Sequence, residues 1–303
     1  MTTIDGPALS SATTEALTAA GLDPAGVRSL VLSALAEDLG DAGDITSAAT
    51  VPSASTCTVQ VVPRQGGVVA GLPVLLAVAD LAPGGVGVQL LAADGDPARP
   101  GVPIARLTGD TRAVLAVERT ALNLLGHLSG VATVTAAWVE AVAGTHARIR
   151  DTRKTLPGLR ALDKYAVRCG GGVNHRTGLF DAVLVKDNHV AAAGGVGAAL
   201  TAVAARHPRG SLVVQVEVDD LDQLDEALRF GADQVLLDNF GLEALRTAVS
   251  RTRAARPGTL LEASGGLTLD SAAAVAATGV DLLAVGALTH SAPQLDIGLD
   301  WIG

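Results

Sequence analysis

The sequence contains few aromatic residues and few cysteines, and each shortage excludes a class of structure. With three Phe, two Trp and one Tyr in 303 residues, the core must be filled by Ala, Val, Leu and Gly. Such small side chains suit helices packed closely against a parallel sheet, whose strands are buried on both faces. The two cysteines, Cys57 and Cys169, are too few and too far apart for a disulfide framework or a zinc site.

Positive charge is also scarce. The formal net charge is −9, which argues against nucleic acid or an anionic membrane surface as the main partner. Charged residues, Gly or Pro interrupt the apolar runs before they reach the ~20 residues that cross a bilayer. The first residues lack the basic and apolar regions of a secretory signal. These features predict a cytoplasmic protein with no nucleic-acid and no membrane partner.

The basic residues that are present are unevenly distributed. The window 148–186 contains all three lysines and nine Lys or Arg in total, against three acids, which gives it a local charge of +6. A solvated helix face is the preferred interpretation for Arg160, Lys164 and Arg168, which have helical spacing. That interpretation fits less well for the basic residues at predicted strand ends or in Gly-rich loops, which are Arg153, Lys154, His175, Arg176 and Lys186.

From residue 147 onward, apolar strand-like runs alternate with helical patterns. The runs are at 147–150, 182–185, 212–216, 235–237, 260–262 and 282–285. The helical patterns are at 159–168, 196–206, 221–230, 242–253 and 269–277. This alternation predicts a parallel sheet with a barrel or doubly wound topology, and fewer than eight units predict an incomplete barrel.

The preceding part of the chain has a different pattern. Residues 27–39 form an amphipathic helix pattern, and 56–109 contain short strand-like runs separated by Pro and Gly. They predict a small antiparallel α+β layer. A long helix, capped by Asp110 or Thr111, then connects the two parts. Two parts agree with the number of domains usual for a chain of this length.

A polar or glycine residue follows each predicted strand, where active sites of parallel α/β folds lie. These residues are Arg153 and Lys154, Lys186, Glu217, Asp238, Ser264 with Gly265 and Gly266, and Gly286. The glycines form either ordinary turns or a close backbone approach to a phosphate. His127 and His146 are interpreted as structural or exposed, and His207 and His290 have no evident partner in the sequence.

The two acids have a structural alternative. Glu217 and Asp238 could cap the helices that follow them. However, Asp219, Asp220 and Asn239 lie nearer to those helix starts. The functional interpretation is therefore preferred for both acids.

Several stretches are similar to the quinolinate phosphoribosyltransferase family, also called carboxylating nicotinate-nucleotide pyrophosphorylases. The longest is DTRKTLPGLRALDKYAVRCGGGVNHRTGLFDAVLVKDNH at 151–189. Shorter ones occur in the family's order at 37–46, 118–130, 216–228, 236–240 and 261–266. Together they cover nearly the whole chain apart from its N-terminal segment, and the central stretch is long enough to be specific.

The resemblance implies an activity and an architecture. Quinolinate and phosphoribosyl pyrophosphate would give nicotinate mononucleotide, pyrophosphate and CO2, with Mg²⁺ as the cofactor. An open α/β sandwich domain would cover 1–130, including much of the long helix, and an incomplete parallel α/β barrel would cover 131–287. The tail, 288–303, would pack on the first domain. The active sites would be shared within a homodimer.

The resemblance also implies residue roles. The dicarboxylate would be surrounded by Arg119 of the partner subunit, Arg153, His175, Arg176 and Lys186. The sugar, pyrophosphate and phosphate would meet Lys154, Glu217, Asp238, Ser264, Gly265, Gly266 and Gly286. Thr152, Val285 and Ala287 would also bind substrate. Lys154, Lys186, Glu217 and Asp238 would be catalytic, and the two acids would hold Mg²⁺ directly, through water or through the sugar donor.

Elementary chemistry agrees with these roles, but three rival functions remain open. Arginines bind carboxylates by paired, charge-assisted hydrogen bonds, and carboxylates stabilise the cationic character that develops at an anomeric carbon. Lys186 could instead form a Schiff base with a sugar phosphate, as in a class I aldolase. The second rival is a paralogue that acts on another anionic acceptor, and the third is a non-catalytic binding protein for anionic metabolites.

Overall fold

The computed structural model describes residues 7–302, which divide into two compact units. The first unit comprises the chain up to 134 together with 156–171 and the residues from 291 onward. The second comprises 135–155 and 172–290. This division differs from the predicted domain boundaries chiefly in placing 156–171 in the first unit.

The elements occur in the order that the sequence pattern predicts. The strands are β1 (Thr56–Pro63), β2 (Gly67–Val68), β3 (Val86–Leu90), β4 (Pro97–Ala98), β5 (Ala105–Asp110), β6 (Arg148–Arg150), β7 (Val183–Val185), β8 (Val214–Val218), β9 (Gln234–Asp238), β10 (Leu260–Ser264), β11 (Leu282–Ala284) and β12 (Ile297–Trp301). The helices are α1 (Ser11–Ala19), α2 (Pro24–Leu39), α3 (Ile45–Thr50), α4 (Leu72–Asp80), α5 (Thr111–Ala141), α6 (Arg160–Cys169), α7 (Asp187–Ala193), α8 (Val196–Arg206), α9 (Leu221–Phe230), α10 (Leu242–Ala255), α11 (Leu269–Ala276) and α12 (Ala287–His290).

The first unit is built on a four-stranded antiparallel sheet. Its strand order is β12-β1-β5-β3, so the strand near the C-terminus lies at one edge beside β1. Helix α5 begins at this sheet, and Asp110 accepts a hydrogen bond from the backbone N–H of Ala113 at 3.0 Å, which is the cap that the sequence suggested. The predicted antiparallel α+β layer is present.

The second unit contains a six-stranded parallel sheet with helices between its strands. The order is β6-β11-β10-β9-β8-β7, and every recorded pairing is parallel. In the described part of the chain, β6 and β7 stand at the two ends of this order and do not pair with each other as strands. Six strands with an opening between the first and second along the chain are consistent with the predicted incomplete α/β barrel.

Helix α5 is long and apolar enough, by length and composition alone, to cross a membrane. Its most apolar window has a mean hydropathy of 1.3, but 56% of that window is buried inside the protein. Helices α7 and α8 meet the same criterion only as a pair, and they are bent by 88°. An apolar helix that is mostly buried is typical of the core of a protein whose interior is filled by small side chains. Helix α5 is therefore interpreted as a core helix.

The interpretation of Lys164 as part of a solvated face is wrong. Its side chain is only 2% exposed, because helix α6 is buried over the whole run from Leu162 to Val167. The adjacent Asp163 is fully buried and lies 2.6 Å from His127 Nε2. Helical spacing identified the face but not its burial, and only Arg168 of the predicted basic face is exposed.

Candidate active site

A cavity of about 610 Å³ lies at the carboxyl ends of the parallel strands of the second unit. All the predicted site residues except Arg119 line it. They are Thr152, Arg153, Lys154, His175, Arg176, Lys186, Glu217, Asp238, Ser264, Gly265, Gly266, Val285, Gly286 and Ala287. Because parallel strands end at one edge, residues far apart in the sequence meet there.

Arg153 and Arg176 form an excess of positive charge on one side of the cavity. In each guanidinium the Nε atom is buried and has no hydrogen-bond partner among the residues that the structure describes. Burial lowers the pKa of Arg176, and the neighbouring charge of Arg153 lowers it further, whereas Asp181 raises it. Leaving buried guanidinium N–H groups without an acceptor is costly, so this side of the cavity suits an anion.

His175 lies beside these arginines and is held from three directions. Its backbone N–H donates to Asp151 Oδ1 at 2.7 Å, and its Nδ1 accepts the backbone N–H of Arg176 at 2.7 Å. Its Nε2 lies 2.9 Å from Gln215 Oε1. The ring is 8% exposed and is therefore fixed in the cavity wall.

Glu217 and Asp238 place two carboxyl groups on another side of the cavity. Burial raises the pKa of Glu217, the ammonium of Lys186 lowers it, and the nearby Asp238 raises it again. Asp238 Oδ2 accepts a hydrogen bond from Asn239 Nδ2 at 2.7 Å. This arrangement keeps one partly buried and one hydrogen-bonded carboxylate facing the same space.

These acids do not cap the following helices. Asp220 caps α9 through the backbone N–H groups of Asp222 and Gln223, as expected. The suggestion that Asn239 caps the next helix is wrong, because Gly241 occupies that position without a side-chain bond. Asn239 instead has φ 56°, unique among the described non-glycine residues, and it bonds to Asp238.

Two glycines are required by their surroundings. Gly265 has φ +86°, and a Cβ there would lie 2.2 Å from Asn239 Oδ1. A Cβ on Gly286 would lie 2.9 Å from Lys154 Cδ. Glycine thus allows the loop after β10 and the strand end after β11 to approach their neighbours closely, and it leaves backbone N–H groups accessible.

The sequence did not identify every residue that lines the cavity. The additional ones are Leu184, Leu236, Asn239, Glu262, Leu267, Ala284 and His290. Glu262 is fully buried and pairs with Arg150 Nη1 at 2.6 Å. An acid inside the apolar run of β10 was the available signal for it, whereas nothing local to His290 indicated a site.

Arg119 lies elsewhere. It is exposed on helix α5, within the first unit, and it is not among the residues that line the cavity.

No group of three or more His, Cys, Asp or Glu side chains in the described range is arranged to hold a metal by itself. The two carboxylates that line the cavity, Glu217 and Asp238, do offer the oxygen ligands that Mg²⁺ prefers. Mg²⁺ commonly keeps several waters and binds one or two carboxylates together with substrate phosphates. The donor set therefore fits a magnesium ion that arrives with a phosphorylated ligand.

Comparison with known proteins gives consistent similarities over nearly the whole chain. The family described as "Quinolinate phosphoribosyl transferase, C-terminal domain" matches residues 131–300, and the corresponding N-terminal domain matches 44–129. A nicotinate-nucleotide pyrophosphorylase [carboxylating] of Mycobacterium leprae is 54% identical over 275 residues, covering 90% of this chain and 96% of that protein. A probable nicotinate-nucleotide pyrophosphorylase [carboxylating] of Synechocystis is 41% identical, covering 78% and 80%. The structure of the nicotinate-nucleotide pyrophosphorylase from Francisella tularensis superposes with a TM-score of 0.84 at 38% identity, covering 91% and 96%.

Proposed function

This chain belongs to the quinolinate phosphoribosyl transferase family, and on that premise we propose how its cavity is divided between two substrates. The protein is a pentosyltransferase of NAD biosynthesis. It transfers the phosphoribosyl group of phosphoribosyl pyrophosphate to quinolinate and forms nicotinate mononucleotide, pyrophosphate and CO2.

The buried Nε–H groups of Arg153 and Arg176, which have no partner among the described residues, carry the assignment of the quinolinate side. Quinolinate has two carboxylates, and two arginines can hold them by charge-assisted, paired hydrogen bonds. His175 and Lys186 line the same region and complete the basic side. A single sugar phosphate does not need this number of cations, which disfavours the aldolase reaction.

The sugar donor occupies the other side in this proposal. The backbone N–H groups of Ser264, Gly265 and Gly266, and those of Val285, Gly286 and Ala287, approach its phosphate groups. Lys154 stands against Gly286, and its backbone carbonyl accepts a hydrogen bond from Thr289 Oγ1 at 2.8 Å. Thr152 Oγ1 accepts the backbone N–H of Lys154 at 3.0 Å and fixes the turn that presents it.

The first chemical step is a displacement at the anomeric carbon. The ring nitrogen of quinolinate forms a bond to C1 of the ribose while the bond from C1 to the pyrophosphate oxygen breaks. Positive charge develops on the sugar, and the carboxylates of Glu217 and Asp238 stabilise it. Lys154 stabilises the negative charge on the departing pyrophosphate. No side chain needs to act as a nucleophile.

Decarboxylation follows because the ring nitrogen is now cationic. The bond between ring carbon C2 and its carboxylate breaks, CO2 leaves, and the electron pair that stays on C2 takes a proton from water. Arg153, Arg176 and Lys186 position the ring by its other carboxylate during this step.

A magnesium ion is proposed as the cofactor. Glu217 and Asp238 would hold it directly, through water or through the ribose and pyrophosphate oxygens. When bound, it would neutralise charge on the pyrophosphate and so make it a better leaving group.

We also propose a homodimer, with association beyond the dimer left open, in which Arg119 of each subunit reaches the partner's quinolinate. An exposed arginine on α5 that is not among the residues lining its own cavity supports this proposal. Cytoplasmic location is proposed from the bacterial relatives and from the negative net charge.

The direct test incubates the purified protein with quinolinate, phosphoribosyl pyrophosphate and Mg²⁺, and measures nicotinate mononucleotide, pyrophosphate and CO2. Equal amounts of the three products are expected. Binding of quinolinate without pyrophosphate release would favour the non-catalytic binding protein, and a borohydride-trapped adduct on Lys186 would favour the aldolase. Product formation with nicotinate in place of quinolinate, and without CO2, would indicate a paralogue with another acceptor.

A further inference from the structure

The hydrogen bonds of His175 determine which of its ring nitrogens carries the proton. A backbone N–H can only donate, so Nδ1 must accept from Arg176 and must be unprotonated. In the neutral ring, Nε2 then carries the hydrogen and donates it to Gln215 Oε1. Both nitrogens therefore have protein partners, and one of these partners is the backbone of an arginine on the quinolinate side.

Gln215 is built into the floor beneath the cavity. It is 2% exposed on strand β8, two residues before Glu217, so both side chains project to the same face of the sheet. Its Nε2 has no hydrogen-bond partner at normal geometry among the described residues, and neither has Oε1 of the buried Glu262. The Gln215 amide nevertheless helps to lower the pKa of Glu262, against the larger effect of burial. The Gln215 amide therefore lies near the Glu262 carboxylate. A carboxylate attracts the NH₂ group of the amide, so the amide oxygen Oε1 is directed at His175.

On the basis of the proposed function, we infer that Gln215 is a positioning residue for the acceptor substrate. It accepts the Nε2–H of His175 and so fixes the orientation of the ring. His175 in turn holds the backbone of Arg176, so that the Arg176 guanidinium is directed at a carboxylate of quinolinate. Gln215 itself does not touch the substrate.

A purely structural role, in which Gln215 only stabilises the floor of the barrel, must be distinguished from positioning. Gln234 pairs in register with Gln215 on the adjacent strand β9, and a variant at Gln234 can distinguish the two roles. Gln234 Oε1 accepts from Arg150 Nη1 at 2.8 Å, and the same nitrogen pairs with Glu262 at 2.6 Å. Gln234 thus belongs to the floor network without a bond to His175, and it provides a matched control.

The test compares Gln215→Met with Gln234→Met, since methionine keeps the length of the side chain and removes the acceptor. For Gln215→Met, we expect the KM and Kd of quinolinate to rise about tenfold, because a buried N–H loses its partner. The KM of phosphoribosyl pyrophosphate should stay within about twofold, and Gln234→Met should leave both constants near those of the unchanged protein. Gln215→Met should add no further loss in a His175→Phe background, because Gln215 acts through His175.

The tautomer gives a readout that needs no activity. In ¹⁵N-histidine-labelled protein, the His175 signals, identified by their loss in His175→Phe, should show an unprotonated Nδ1 and a protonated Nε2. In Gln215→Met, Nδ1 should stay unprotonated because Arg176 still donates to it, but the Nε2–H loses its acceptor, so its proton signal should move upfield. An Nδ1–H ring in the unchanged protein overturns the inference even if Gln215→Met fails to fold. Additive losses in the double variant, or equal losses in Gln234→Met, also overturn it. Absence of the product from the unchanged protein would count against the proposed function alone, since the tautomer is measured separately.

Discussion

The ammonium of Lys186 lies 3.9 Å from Glu217 Oε2, and it is the strongest of the neighbouring charges that oppose the rise in the pKa of Glu217. Glu217 can stabilise a cationic sugar only as a carboxylate. The protonation of this one group should therefore set the acidic limit of activity.

The first prediction concerns that limit. In Lys186→Gln the pKa of Glu217 should rise further, because burial and Asp238 are then less opposed. The acidic limb of kcat/KM for phosphoribosyl pyrophosphate, measured against pH at saturating quinolinate, should move to higher pH. Asp219→Asn removes a charge that raises the same pKa, so its limb should move to lower pH. Shifts of the same sign in both variants would contradict the assignment.

The second prediction separates two adjacent glycines. Ala at position 265 would meet Asn239, whereas Ala at 266 would face open space, although both glycines have positive φ. Gly265→Ala should lower the free energy of unfolding by about 1–3 kcal/mol more than Gly266→Ala, because of overpacking. Urea unfolding measures this difference. The KM of phosphoribosyl pyrophosphate should also rise more in Gly265→Ala, and equal effects in the two variants would show that Asn239 does not constrain the loop.

The third prediction concerns quinolinate binding. Arg176→Ala should raise the Kd of quinolinate roughly tenfold to a hundredfold, the expected cost of a charge-assisted hydrogen bond. Arg168→Ala is the control, because Arg168 is exposed on α6 in the first unit. Calorimetric titration gives both values. An unchanged Kd in Arg176→Ala would mean that the dicarboxylate binds elsewhere in the cavity.

The fourth prediction tests the shared site. Arg119→Ala and Lys186→Gln proteins should each retain only a small, measurable fraction of the normal activity. After mixing and exchange of subunits, about a quarter of the normal activity should return, because half of the dimers are hybrids with one intact site each. Mass spectrometry shows whether the subunits have exchanged. If they have and no activity returns, Arg119 acts in the active site of its own subunit or takes no part in the reaction.

Local pattern was sufficient for much of the second unit and for its strand ends. Glu217, Asp238 and Ser264 could be located because each stands where an apolar run stops, and a parallel sheet brings such positions together. Thr152 and Ala287 had no local signal and followed only from the family resemblance.

Features that depend on contacts with distant parts of the chain could not be predicted from the local sequence pattern. Lys164 has the spacing of a surface residue, but its burial depends on the packing of the first unit. The left-handed conformation of Asn239 depends on the space that Gly265 leaves beside it. Likewise, Gln215 and Glu262 are polar residues within strands, and only the folded barrel shows what they face.

The pairing of β12 with β1 also has a consequence for the order of folding during synthesis. Strand β1 leaves the ribosome early, but β12, which pairs with its edge, is made only after the whole parallel sheet. All six strands of the parallel sheet are available before then. The catalytic barrel can therefore assemble while the first sheet still exposes an unpaired edge, which is the form of the chain most prone to aggregation or to capture by chaperones.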